Sequence, residues 1–399
     1  MSILSIDDLG DEAFEGQRVF VRVDFNVPLN GTTITDDARI CAALPTIRRV
    51  IERGGLPILA SHFGRPKGER LPEFSLEPVA ARLAELLECD VIFPDDCVGP
   101  GIEKIAADMT HGQVMLLENL RFYAAEKSNE SDFVNALAAL ADTYINDAFG
   151  TSHRAHASVD GVARKFSASR RAAGYLIAKE LKFLDEALSQ PRWPFVAVLG
   201  GAKVSDKLAV ILKLCEKAMT IVVGGAMAYT FLKARGVDVG DSLVEHDKLE
   251  QAEEILRLVD SSRAELLLPV DHVVAASMDA SAGDVSVVEG GIPEGLSGFD
   301  IGPKTVALFG AKIKMARTVF WNGPMGVFER PPFASGTREI AKALTDCDGV
   351  TVVGGGDSAA AIRQFGFDEA VTHISTGGGA SLELVEGRVL PALAALHVD

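Results

Sequence analysis

Two lysines four residues apart follow a pair of glycines in the stretch VLGGAKVSDKL (198–208). An apolar run, a bend without side chains and then cations is the grammar of a phosphate site. It is not the P-loop pattern, in which lysine follows the last glycine of G-x-x-x-x-G-K-[ST] directly. The macrodipole disfavours cations at a helix N-terminus, so Lys203 and Lys207 placed there imply an anion beside them. GGGDSAA (354–360) and STGGGAS (375–381) both set bare backbone N–H groups at an expected helix start, a ready anion site. Asp357 in the first of these opposes a phosphate unless a cation lies between them, which implies Mg2+. WNGPMGVFE (321–329) ends an apolar run with Asn322 and, past a rigid Gly-Pro turn, brings Glu329, a carboxylate able to hold ribose hydroxyls.

The first half of the chain carries a different chemistry. Arg39, Arg65, Arg121 and Arg154, with His62, fall mostly at or just past expected strand ends. Uncompensated arginines repel one another, and guanidinium forks match phosphate and carboxylate, so such a group points to a multiply charged anion. DFNVP adds Asp24 and Asn26, which can bond hydroxyls. A small hydroxylated, phosphorylated acid suits the set. HRAH (153–156) invites a metal reading, but no cysteine lies near and no second cluster completes the usual ligand count; packing and hydrogen bonding are expected instead.

The elements that must position these residues are short apolar runs alternating with helical patterns. In the first half the runs are 18–25, 56–63, 90–96, 114–120 and 143–150, with helix-like segments at 78–88 and 132–141 between them. In the second half they are 195–201, 220–225, 266–274, 318–323, 349–356 and 373–379. Continuous apolar strands alternating with helices predict two doubly wound parallel sheets, one per half. In open sheets of this kind ligands bind at the carboxyl ends of the strands, where the singled-out residues fall. Segment 174–191, with Leu176, Ile177, Leu181, Leu184 and Leu188 at helical spacing and Pro191 as a stop, predicts a helix joining the halves. Segment 380–396 reads as an amphipathic tail packed on one lobe.

At 399 residues the chain is two to three domains long by a prior of roughly 150 residues each. A net charge of −17 argues against general affinity for nucleic acid or anionic membrane, so positive charge must be concentrated locally. Five scattered cysteines with no C-x-x-C pair argue against a disulfide framework. The acidic first residues do not suit a signal peptide, and no apolar run approaches about 18 residues. A cytoplasmic protein is expected. No G-x-G-x-x-G fingerprint follows the opening strand of either half, so a nicotinamide dehydrogenase fits poorly, as does a P-loop enzyme.

RVDFNVP, SHFGRP, LENLRF, NDAFGTSHRAHAS, LGGAKVSDK, WNGPMGVFE, VVGGGDS and STGGGASLELVEG occur in this order between positions 20 and 387. Taken together they closely resemble the phosphoglycerate kinase family. Phe63 stands where the family usually has leucine. The resemblance implies an N-terminal 3-phosphoglycerate domain (1–173), the connecting helix (174–191), a C-terminal Mg-nucleotide domain (192–379) and a tail (380–399) returning to the first domain. It implies that Asp24, Phe25, Asn26, Arg39, His62, Phe63, Gly64, Arg65, Arg121 and Arg154 hold the phosphoglycerate. Lys203 and Lys207 would meet the nucleotide phosphates, Glu329 the ribose and Asp357 the Mg2+. Gly355, Gly356 and Ser358 would form a phosphate loop with Asn322 and Pro324 nearby, and Gly224, Gly225 and Gly302 would line the adenine pocket. The implied partners are ATP or ADP and 3-phosphoglycerate or 1,3-bisphosphoglycerate, and a monomer is expected.

The implied reaction joins two acceptors that are already anionic near pH 7, so it needs neutralisation and in-line positioning rather than a base. Arg39, Lys203 and the amides of Gly377, Gly378 and Gly379 are expected around the transferring group. Two rivals stay open on the residues alone. A non-catalytic receptor for a phosphorylated metabolite would need the arginines but not Lys203, Glu329 and Asp357. A kinase acting on a hydroxyl could use Asp24 as base.

Overall fold

The computed structural model describes residues 2–188 and 190–398. The chain divides into two compact units, residues 1–181 with 389–399 and residues 182–388.

In the first unit six strands form one sheet: β1 (Arg18–Arg22), β2 (Leu56–Ala60), β3 (Val91–Ile92), β4 (Val114–Leu116), β5 (Thr143–Asn146) and β6 (Arg171–Ala173). Their order is β3-β4-β2-β1-β5-β6 and every pairing is parallel. Val19, Phe20 and Val21 of β1 are fully buried, as a central strand covered on both faces requires. After β1 the chain enters helix α1 (Ala38–Glu52), whose Ile40, Ala43, Leu44, Ile47 and Val50 pack into the core at helical spacing. The order turns between β1 and β5, so the crevice expected to take a ligand lies beyond the carboxyl ends of these two strands.

The second unit contains a larger sheet of β7 (Phe195–Leu199), β8 (Thr220–Val223), β9 (Glu265–Leu267), β13 (Thr318–Asn322), β14 (Val350–Gly354) and β15 (His373–Ile374). Their order is β9-β8-β7-β13-β14-β15, again parallel throughout, with the switch between β7 and β13. The intervening strands β10 (Asp271–Ala275), β11 (Ser286–Glu289) and β12 (Ser297–Ile301) form a separate antiparallel sheet in the order β11-β10-β12.

Two doubly wound parallel sheets are therefore present, as the sequence predicts. Three details differ. The run 266–274 is not one strand: it breaks at Leu268–Val270, around Pro269, which has no N–H to continue a ladder, and its halves enter different sheets. Strand β6 and the antiparallel sheet have no counterpart in the sequence reading. The segment 380–396, read as a tail packed on one lobe, divides its contacts between the two units. Helix Gly378–Val385 stops before Gly387, which takes a positive φ of 78°, and a short helix, Pro391–Ala394, follows. The contacts divide this tail at Arg388/Val389, and beyond the division Ser2–Ile3 pairs antiparallel with His397–Val398. The joining helix runs over Tyr175–Leu188, and its contacts divide after Leu181.

Candidate active site

In the first unit, Asp24, Phe25 and Asn26 follow β1; His62, Phe63, Gly64 and Arg65 follow β2; Arg121 follows β4; Arg154 follows β5. Arg39 lies in the first turn of α1 and reaches back to Asp24, Nη1 to Oδ2 at 2.9 Å. Asp24 Oδ1 sits 3.8 Å from His62 Nδ1. Asn26 Oδ1 accepts from Gly64 N at 2.9 Å, and Arg121 Nη1 donates to Gly64 O at 2.5 Å. Phe25 and Phe63 are core side chains, so they offer a ligand only backbone. A cavity of about 960 Å3 is lined by Arg65, Lys67, Arg121, Lys127, Arg154 and His156 among others.

The electrostatics of this place suit an anion. Burial and the neighbouring Arg154 and Arg22 guanidinium groups push Arg121 down to about 10. Arg154 is lowered by burial and by Arg22 and Arg65. Cations that depress one another are stabilised when an anion enters. The histidines add no charge: burial and the surrounding arginines hold His62 well below its ordinary value and His156 near 3, so both are neutral at pH 7. His62 Nδ1 lies 3.3 Å from Arg22 Nη2 and His156 Nδ1 lies 3.9 Å from Glu126 Oε1, so neither ring belongs to the cationic set.

Sequence reasoning missed the layer beneath. Arg22, in β1, is 1% exposed; its Nε donates to Ser158 Oγ at 2.7 Å and its Nη2 lies 3.3 Å from His62 Nδ1. Ser158 Oγ in turn donates to the buried carboxylate of Glu126 at 2.6 Å. The arginine that closes the run RVFVR was the available signal. Asn119 holds three loops together, accepting from Phe63 N and Arg121 N and donating to Phe63 O and Phe74 O.

In the second unit the site forms where β7, β13 and β14 end. Helix α2 (Leu208–Cys215) starts one residue after Lys207, so Lys203 lies in the preceding turn and not in the helix itself. Lys207 is buried and donates through Nζ to Asn322 Oδ1. Burial pushes this ammonium down to about 8, against the upward pull of Asp206, Asp357 and Glu386. Asn322 keeps its Nδ2 buried and unpartnered, beside Gly355. Gly323 N donates to Ser358 Oγ at 2.6 Å. Gly355 caps a helix beginning at Gly356, and Gly377 caps one beginning at Gly378. These two starts touch, since a Cβ on Gly378 would lie 3.0 Å from Gly355 Cα. Lys203, Glu329, Gly356, Asp357 and Gly379 are exposed.

For Gly224, Gly225 and Gly302 the structure supplies a packing reason for glycine. Added Cβ atoms would strike Met325 Sδ at 2.5 Å, Gly201 backbone at 2.6 Å and the Asp271 carboxyl at 2.3 Å respectively. Pro324 contributes its carbonyl, which accepts from Gly201 N at 3.0 Å. Among the described residues no group of three or more His, Cys, Asp or Glu could hold a metal by itself. A single exposed carboxylate, Asp357, at bare amides still fits Mg2+, which binds through one or two carboxylates plus substrate phosphates and water. No helix among the described residues is long and apolar enough to cross a membrane.

A parallel α/β fold with a buried lysine and bare amides in one unit and depressed arginines in the other suits a kinase acting on an anionic small molecule. The phosphoglycerate kinase family model matches residues 6–388. The chain is 55% identical over 398 residues to a phosphoglycerate kinase of Anaeromyxobacter dehalogenans, covering 99% of each chain. It is 53% identical over 388 residues to that of Clostridium novyi, covering 97% of each. The structure of phosphoglycerate kinase from Coxiella burnetii is similar at a TM-score of 0.87, with 38% identity and 99% of each chain covered. That from Pyrococcus horikoshii has a TM-score of 0.85 at 35% identity, covering 99% of this chain and 98% of that one. The chain belongs to the phosphoglycerate kinase family.

Proposed function

We propose that the protein moves a phosphoryl group reversibly between 1,3-bisphosphoglycerate and ADP, giving ATP and 3-phosphoglycerate, by direct in-line transfer without a general base. The carrying observation is the presence, in one chain, of a cavity lined by mutually depressed arginines and a second site of buried lysine and paired helix starts. The phosphoglycerate is held by Arg65, Arg121 and Arg154, with Asp24 and Asn26 on its hydroxyl and His62 as a neutral partner. Arg39 and Lys203 neutralise charge on the transferring group, and the amides of Gly377, Gly378 and Gly379 bond its equatorial oxygens. Lys207, Asn322, Gly355, Gly356 and Ser358 hold the remaining nucleotide phosphates; Glu329 takes the ribose, and the backbone at Gly224, Gly225 and Gly302 faces the base. Asp357 would hold Mg2+, which supplies neutralisation of the nucleotide phosphates when bound.

Both acceptor atoms are anionic at neutral pH, so no proton must leave during transfer. Asp24, the residue a hydroxyl-directed kinase would use as base, is already engaged by Arg39. Substrates carried by separate units must be brought together, so closure hinged near the helix Tyr175–Leu188 is part of the proposal. The reaction is placed in glycolysis and gluconeogenesis, in the cytoplasm, with the protein a monomer. Transfer from a chiral γ-thiophosphoryl nucleotide to 3-phosphoglycerate tests the chemistry. A single in-line displacement inverts configuration at phosphorus; net retention would require a phosphoenzyme and sink the reading.

A further inference from the structure

The turn that carries Lys203 has no cap of its own. Lys207, at the N-cap position of α2, makes no side-chain capping bond, and Lys203 itself is exposed. At one end Gly201 is pinned, donating to Pro324 O and accepting from Met227 N, both at 3.0 Å. The middle of the turn is held from outside by one carboxylate. Glu245 Oε2 accepts from both Val204 N and Ser205 N, the latter at 3.1 Å, and Oε1 accepts from Ser205 Oγ at 2.7 Å. The anchor is itself fixed, because Glu245 N donates to Thr230 Oγ1 at 3.1 Å, and Thr230 lies in the buried helix Met227–Ala234.

Three donors on one carboxylate is the pattern of a cap supplied from forty residues away. It occupies the amides immediately after Lys203, so the chain there is committed to an anion made by the protein. The lysine is thereby set on a rigid turn instead of a loop free to fluctuate, and catalysis depends on such positioning: a misplacement of about 1 Å can lower a rate about 100-fold. We propose that Glu245 is a positioning residue for phosphoryl transfer, acting through Lys203 by clamping the Val204–Ser205 amides. This rests on the reading that Lys203 faces the transferring phosphoryl group.

The chemistry of the clamp separates geometry from charge. In Glu245→Gln the amide oxygen can still accept from the two N–H groups, and its NH2 can donate to Ser205 Oγ, since a hydroxyl donates or accepts. Glu245→Ala keeps none of these bonds. The experiment measures steady-state kcat, and KM for ATP and 3-phosphoglycerate, in Lys203→Ala, Glu245→Ala, Glu245→Gln and the double variant Lys203→Ala/Glu245→Ala, with a thermal melt for each. Glu245→Ala is expected to lower kcat about tenfold or more, with KM for 3-phosphoglycerate unchanged. Glu245→Gln should recover to within about threefold of wild type, and in the Lys203→Ala background the further loss should be under about twofold. Full activity in Glu245→Ala beside an impaired Lys203→Ala overturns the positioning role alone. So do losses that multiply in the double variant, or a Glu245→Gln as poor as Glu245→Ala. An unimpaired Lys203→Ala would remove the reading of Lys203 and the proposal with it. If Glu245→Ala does not fold, the Glu245→Gln variant decides: kcat falling tenfold in a protein that melts like wild type contradicts a geometric clamp.

Discussion

Arg39 and Asp24 form an ion pair, Nη1 to Oδ2 at 2.9 Å, with the arginine side chain 40% exposed and the aspartate 11%. The guanidinium end of the pair is open to solvent, so an incoming phosphoryl group can reach it while Asp24 stays paired. Asp24 thus parks Arg39 at the substrate crevice without trapping it. Arg39→Lys keeps the charge but loses the planar fork that engages Asp24 and a phosphoryl oxygen together. We expect kcat for 3-phosphoglycerate phosphorylation to fall at least about tenfold while KM for ATP stays the same. Activity of Arg39→Lys within twofold of wild type would show that point charge alone suffices.

Nucleotide affinity should carry the titration of Lys207. Burial holds the free ammonium near 8. A bound polyphosphate favours the charged form, so binding takes up protons once the free group begins to lose its own. Affinity for ATP should therefore be constant below pH 7 and fall as pH rises past about 8, approaching tenfold per unit. Calorimetric titrations at pH 7, 8, 9 and 10, in buffers of different ionisation enthalpy, read both the affinity and the protons taken up. Lys207→Arg, charged throughout, should flatten the curve; a flat curve in wild type would contradict the assignment.

Asp147 gives a stability prediction independent of ligands. Its Oδ1 accepts from Leu176 N at 2.8 Å and Ile177 N at 3.3 Å at the start of the joining helix. Burial raises its pKa to about 7, well above the ~3.9 of an unfolded chain. The folded protein thus keeps a proton that the unfolded chain gives up, and this contribution is full below about pH 4 and lost as pH climbs through 7. Asp147→Asn keeps the acceptor and cannot ionise. Its Tm should match wild type at pH 4 and exceed it at pH 8, by roughly 2–4 °C for each kcal/mol gained. A lower Tm at pH 8 would mean the ionised carboxylate is the stabilising form.

How far the site could be read from sequence depended on where its determinants lie. Strands such as 18–22 and 195–199 are apolar runs ended by special residues, so both their existence and the points where they end were legible. The run through Pro269 was not, because its hydrophobicity continues across the point where the chain leaves one sheet for another. Arg22 was hidden for the opposite reason: an arginine ending the run RVFVR, which also begins with one, reads as a strand-end charge until Ser158, more than one hundred residues away and itself bonded to Glu126, is seen to receive it. Glu245 left no local trace either, since its partners are amides, which every residue has. Three glycines carry a second reason for their type that only the structure shows. At Gly224, Gly225 and Gly302, packing against Met325, Gly201 and Asp271 demands the missing side chain whether or not a base lies against the backbone.

The central claim is that Arg39 and Lys203 act on one transferring group. The direct measurement is 3-phosphoglycerate-dependent ATP consumption with Mg2+ in wild type, Arg39→Ala and Lys203→Ala, beside calorimetric binding of each substrate to each variant. Both variants should lose at least about 100-fold in kcat while each still binds 3-phosphoglycerate and ATP within a few-fold of wild type. A wild type that binds 3-phosphoglycerate but never consumes ATP, or variants whose losses lie wholly in binding, would contradict it.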